Sequence, residues 1–155
     1  MSAIEYPPSM DAALPVKTIL VVEDDNSIGA FLELAILQET RYHPLLVSSS
    51  AEAVKAVQGI RPDLFLLDYF LQRTTGITLY DELHAMDGFE DIPAIIFTAG
   101  NLEQYQQEVE QRHIIAMSKP IELDKLLTTI KNILEKRTRG DTKGSSISRD
   151  ERANA

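Results

Sequence analysis

In this chain, acidic, hydroxyl and ammonium side chains recur at the ends of apolar runs. The stretch ILVVEDDN places Glu23, Asp24 and Asp25 directly after Ile19–Val22. DLFLLD ends in Asp68, PAIIFTA ends in Thr98 and Ala99, and IIAMS runs into Lys119 and Pro120. Carboxylates gathered in one place repel one another, and a bound hard cation is the usual remedy. Mg2+ suits one or two carboxylates completed by water and a phosphate oxygen, with Ca2+ the second choice. Lys119 offers a fixed positive charge for an anionic group such as phosphate, and Thr98 adds a hydroxyl donor. Asp68, isolated among hydrophobes, can serve as a carboxylate nucleophile that accepts a phosphoryl group. The cation and Lys119 would screen the charge that develops during such a transfer. Each residue also has a plainer role: Asp25 or Asn26 as a helix cap, Asp68 as a turn residue, Thr98 before a loop, Lys119 in solvent.

The elements that must position these groups alternate along the chain. TILVV, HPLLVSS, DLFLLD, PAIIFTA and IIAMS read as strands. Between and after them run SIGAFLELAILQE, SAEAVKAVQ, GITLYDELHAM, NLEQYQQEVEQR and IELDKLLTTIKNILEKR, which read as helices. The first has Ile28, Phe31, Leu32, Ala35 and Ile36 at helical spacing, with Asn26 placed to cap it. The second opens at Ser49 or Ser50. Leu123, Leu126, Leu127, Ile130, Ile133 and Leu134 give the last helix its apolar stripe. Continuous apolar strands alternating with helices predict an α/β domain: a doubly wound, five-stranded parallel sheet covered on both faces by five helices. In that architecture ligands bind beyond the carboxyl ends of the strands, where the polar residues fall.

Composition narrows the classes. The chain has 155 residues, a length suited to one domain. It has no cysteine, which excludes disulfides, thiolate metal sites and cysteine nucleophiles and fits a cytoplasmic setting. No apolar run is long enough for a membrane span, and the N-terminus lacks the pattern of a secretory signal. A net charge of −9 argues against direct nucleic-acid binding. From Lys136 onward, six Lys or Arg stand against three acids, so the acidity is concentrated in the body. Residues 1–16 are expected to form a flexible N-terminal extension, 17–137 the domain, and 138–155 a disordered polar tail.

From about Lys17 to Arg137 the chain resembles the receiver domain of bacterial two-component response regulators. ILVVEDDN, DLFLLDYFLQRTTG, PAIIFTA and SKP carry the resemblance. The separations agree with it: 44 residues from Asp24 to Asp68, 30 from Asp68 to Thr98, 21 from Thr98 to Lys119. The resemblance implies a flavodoxin-like, CheY-like three-layer sandwich with strand order 2-1-3-4-5. It implies Asp68 as phosphoacceptor, with Thr98 and Lys119 on the phosphoryl group. Mg2+ would be held by Asp24, by Glu23 directly or through water, by Asp68 and by the Phe70 backbone carbonyl. Ala99 matches a small position beside the phosphoryl group, Gly76 the glycine that closes the acceptor loop, and Lys119–Pro120 a bond usually cis in the family. The implied partners are a sensor histidine kinase or histidine phosphotransfer protein and an unknown downstream protein. Homodimer pairing through the face bearing Ala116 is left open.

Two positions depart from the family pattern. Gln72 stands where proline is common, which predicts a looser loop after Asp68. Ala116, followed by Met117, stands where an aromatic usually turns inward on activation, which predicts a weaker or different switch on the face of the fourth helix, fifth strand and fifth helix. The residues after the last helix are too few for an output domain, so a stand-alone receiver or a piece of a longer protein is expected. Such a protein is a signalling switch that catalyses only its own phosphoryl transfer and dephosphorylation. Three other classes fit less well. An aspartyl-phosphate hydrolase of the haloacid-dehalogenase type carries a second Asp where this chain has Phe70. A phosphorylation-independent interaction module would lose some of the acidic pair, acceptor, Thr or Lys. A dinucleotide enzyme would carry GxGxxG after the first strand.

Overall fold

A computed structural model describes residues 15–100 and 102–136. The expected extension up to residue 14 and the expected tail at 138–155 lie outside them. Five strands form one parallel sheet: β1 (Thr18–Val22), β2 (His43–Val47), β3 (Leu64–Asp68), β4 (Ala94–Ala99) and β5 (Ile115–Lys119). Their order is β2-β1-β3-β4-β5. Strand order reverses beside β1, which pairs with β2 on one side and β3 on the other.

The helices are α1 (Asn26–Glu39), α2 (Ser50–Ala56), α3 (Gly76–His84), α4 (Gln106–Gln111) and α5 (residues 123–136). Successive strand residues face opposite sides of a sheet, and both sides are covered. Ile19, Val21, Leu64, Leu66, Ile95 and Phe97 pack with Leu32 and Ile36 of α1 and Leu126, Ile130 and Leu134 of α5. Leu20, Val22, Phe65, Leu67 and Ile96 pack with Ala53 of α2, with Ile77, Leu79 and Leu83 of α3, and with Val109 of α4. This two-sided burial is why β1 and β3 read as unbroken apolar runs. Among the described residues, no helix is long and apolar enough to cross a membrane.

The helix starts differ in detail from the sequence expectation. Asp25, not Asn26, caps α1: its side chain accepts from the Ser27 and Ile28 N–H groups at 2.9 and 3.0 Å. Asn26 is the first helical residue. Ser49 caps α2, accepting from the Glu52 N–H. Phe31 was expected on the buried stripe of α1 but is exposed. Gly29, Leu32, Ala35 and Ile36 form that stripe, and the bare Gly29 lets the helix come close to Leu46 of β2. The stretch expected as one helix after β4 splits into a 3-10 turn, Leu102–Tyr105, followed by the short α4. Only Val109 of α4 is buried, and no residue of the turn is. Without an apolar stripe a longer helix has little to hold it.

Candidate functional site

The carboxyl ends of β1, β3, β4 and β5 converge at one edge of the sheet. Glu23 and Asp24 follow β1, and Asp68 is the last residue of β3. Thr98 lies on β4, one residue beyond Phe97, the register partner of Asp68. Lys119 ends β5 opposite Ala99. Carboxylate oxygens of Glu23, Asp24 and Asp68 all lie within 4.8 Å of one another. Glu23 is 2% exposed and Asp68 6%, so two like charges sit close together and out of water. The Lys119 ammonium reaches both, 3.2 Å from Asp68 Oδ1 and 3.5 Å from Glu23 Oε1.

This crowding marks the acids. Burial, reinforced by the Asp68 charge, pushes the Glu23 carboxyl up to about 7, while the Asp25 N–H and Lys119 pull the other way. That N–H donates to Glu23 Oε2 at 3.2 Å. Asp68 is raised as well, chiefly by burial, with Lys119 opposing. Burial alone would lower the Lys119 ammonium, but Asp68 and Glu23 outweigh it and hold it above its ordinary value. A pocket with more carboxylate than cation therefore favours a further positive charge. An all-oxygen donor set suits a hard ion such as Mg2+ rather than a soft transition metal.

Thr98 supplies a second sign of a missing partner. Its hydroxyl is fully buried and makes no hydrogen bond within the described residues. A buried hydroxyl left unpaired costs about 1–3 kcal/mol. The cost is recovered if a phosphoryl oxygen takes up the bond, so the residues present fit both a hard cation and a phosphoryl group.

The loop after Asp68, with Gln72 in place of proline, is bonded to itself through its backbone. Phe70 and Thr75 form an antiparallel bridge. The Leu71 N–H donates to Thr74 O at 3.1 Å and the Gly76 N–H to Tyr69 O at 2.7 Å. Neither bond uses the Phe70 carbonyl. The Leu71 side chain is buried, which anchors the loop further. Gly76 has no room for a side chain: a Cβ there would sit 2.5 Å from the Asp68 carbonyl oxygen. Gly76→Ala is expected to cost about 1–3 kcal/mol of stability, as overpacking does, and to displace Asp68. Urea denaturation checks the first effect, and amide NMR shifts around Asp68 check the second.

Residues 19–131 match the response regulator receiver domain as a family. The chain belongs to that family. This receiver domain is 32% identical to the phosphate regulon transcriptional regulatory protein PhoB of Pseudomonas aeruginosa over 127 residues. That match covers 81% of the chain but 55% of PhoB, so the chain spans about half the length of that relative. It is 29% identical to the polar-differentiation response regulator DivK of Brucella anthropi, covering 76% of the chain and 96% of DivK. Among solved structures, a CheY-like receiver domain protein from Methanospirillum hungatei superimposes with a TM-score of 0.73. At 21% identity, covering 81% of this chain and 98% of that one, it shows the shared fold. The strand order and the acidic cluster of the receiver agree with the sequence expectation, and so does the cis Lys119–Pro120 bond.

Sequence reasoning missed a set of side chains around this site. Tyr69, the residue after Asp68, packs its ring against that of Tyr105, tilted by 42° with centroids 4.2 Å apart, and donates its hydroxyl to Glu108 at 2.9 Å. Arg112 forks onto Asp81 of α3 at 2.8 and 2.9 Å. The one sequence-level signal was the aromatic pair Tyr69–Phe70 beside Asp68.

Proposed function

We propose that this receiver domain takes a phosphoryl group onto Asp68 in a Mg2+-dependent transfer from a sensor histidine kinase or histidine phosphotransfer protein. The phosphorylated form then binds a downstream protein differently. The observation that carries this reading is the unpaired, buried Thr98 hydroxyl beside a carboxylate cluster whose nearest cation, Lys119, already touches Asp68.

Each residue has a defined task. Asp24, Glu23, Asp68 and the Phe70 carbonyl would hold Mg2+. When bound, the ion neutralises phosphoryl oxygens and orients the group for in-line displacement. An Asp68 carboxylate oxygen attacks phosphorus as the bond from phosphorus to the donor nitrogen breaks. Lys119 leaves its contact with the free carboxylate to pair with a phosphoryl oxygen, and Thr98 donates to another. No outside substrate is turned over.

A donor protein needs a docking face beside Lys119, and an apolar one lies there. Phe31, Leu34 and Leu37 stand exposed at i, i+3 and i+6 on α1. Phe31 and Ile28 also line a cleft of about 180 Å³ with Lys119, Pro120 and Ile121. The face is continuous with the reactive edge, so it fits the donor protein itself. Leu34→Ser with Phe31→Ser is expected to weaken transfer from a phosphohistidine protein tenfold or more, about 1.4 kcal/mol or above. Uptake from acetyl phosphate, which needs no docking, is expected to stay unchanged, as parallel time courses with both donors would reveal.

Incubation with acetyl phosphate, with Mg2+ or with a chelator, tests the function. One phosphoryl group should appear in the intact mass only with Mg2+. No gain under conditions that label another receiver would favour an interaction module that works without phosphorylation.

A further inference from the structure

The receiver lacks the aromatic on β5 that would turn inward, since Ala116 occupies that position, opposite Ile96 of β4. Rings are nevertheless gathered nearby. Tyr69 and Phe70, the two residues after Asp68, meet edge to face with centroids 4.8 Å apart. Tyr105 joins them from the 3-10 turn, 4.2 Å from Tyr69 and 6.1 Å from Phe70. Tyr105 and Ala116 pack against the same core cluster, and the turn lies against β5. The small Ala116 side chain and the Tyr105 ring thus border one core cluster.

These rings join the acceptor loop to α4. Tyr69 is almost wholly buried, and its hydroxyl bonds Glu108 of α4. At the other end of α4, Arg112 is clamped to Asp81 of α3 and donates to the Glu108 carbonyl at 2.8 Å. Between these two ties only Val109 is buried. A segment with so few buried apolar contacts moves at low cost. Tyr105 lies seven residues beyond Thr98 on the same segment.

We infer that Tyr105, its ring packed at a tilt against Tyr69, relays phosphorylation in this receiver, doing from the turn after β4 what a β5 aromatic would otherwise do. The inference rests on the proposed function, since Asp68 must carry the phosphoryl group for Thr98 to move. As the Thr98 hydroxyl swings onto that group, the end of β4 shifts and carries Tyr105 with it. The Tyr105–Tyr69 ring contact and the Tyr69–Glu108 bond rearrange together. The N-terminal end of α4 then moves about the Arg112–Asp81 clamp. Tyr105 and Tyr69 are positioning residues, and neither reacts with the phosphoryl group.

The experiment is amide NMR of the whole chain before and after acetyl phosphate with Mg2+, with intact mass on the same samples. In the natural sequence, shifts are expected from Glu103 to Arg112. In Tyr105→Ala the mass should still gain one phosphoryl group while those shifts are lost. Tyr105→Leu keeps apolar bulk without the ring and should lose them too, which decides the matter if the alanine variant does not fold. Tyr69→Phe keeps the ring contact and loses only the Glu108 bond, so its unphosphorylated spectrum should lie between the two natural end states. Full α4 shifts in folded, phosphorylated Tyr105→Ala or Tyr105→Leu would overturn the inference. Shifts confined to residues 115–118 in the natural sequence would do the same. Absence of any mass gain would instead overturn the receiver chemistry beneath it, and the mass shows that before any spectrum is read.

Discussion

Lys119→Ala should slow phosphoryl uptake by Asp68 about 10²–10³-fold, the usual loss when one preorganised charge is taken from a transition state. The same variant should bind Mg2+ more tightly. Both effects follow from one geometry, since the Lys119 ammonium lies within 3.5 Å of Glu23 and 3.2 Å of Asp68. Without it the pocket keeps its carboxylates and loses its cation, so a divalent ion is drawn in more strongly. The phosphoryl oxygens, however, lose the partner that Lys119 provides as negative charge spreads over them. Calorimetric Mg2+ titration and time-resolved intact mass separate the two. A structural role alone would weaken both binding and transfer. Opposite signs are therefore the diagnostic outcome.

Glu23→Gln should stabilise the metal-free protein at pH 8 by about 2–3 kcal/mol while weakening Mg2+ binding. Burial and the Asp68 charge raise the folded Glu23 carboxyl to about 7 from its ordinary value of 4.5. A raised carboxyl contributes stability that is fully present below about 4.5 and is lost as pH rises through about 7. Metal-free natural protein should thus fall in stability relative to Glu23→Gln between pH 5 and pH 8. Mg2+ needs the ionised carboxylate, so protons compete with it below about 7. Adding Mg2+ should therefore rescue the natural protein at pH 8 far more than at pH 5. Urea denaturation of both proteins at the two pH values, with and without Mg2+, checks the sign. Equal pH dependence in both proteins would mean that Glu23 is not the strained group.

Much of this was legible because burial on both faces of a parallel sheet leaves uninterrupted apolar strands. Asp68 stood out as an acid at the end of LFLL, and Glu23 and Asp24 as acids at the end of ILVV. The caps were less legible, since Asp25 and Asn26 are both good capping residues and only backbone geometry chooses between them. Phe31 was misplaced because helical spacing shows which residues share a face but not how wide the buried stripe is. The backbone bonds of the loop after Asp68 left no mark in the sequence either. The Phe70–Thr75 bridge and the Gly76 N–H bond hold that loop through its backbone, whatever stands at Gln72. The ties of α4 were invisible, since Tyr69 and Glu108 lie 39 residues apart and Arg112 and Asp81 lie 31 apart. Contacts of that kind exist only once the sheet has brought the segments together.

Asp68 as the phosphoacceptor is the claim on which the rest depends, and borohydride trapping tests it most directly. The reagent reduces an aspartyl phosphate to homoserine, which peptide mass spectrometry places in the sequence. After acetyl phosphate and Mg2+, homoserine should be found at position 68, and none should form with a chelator present. Homoserine at position 24 or 25 with none at 68, or a phosphoryl group carried by a histidine instead, would contradict the account.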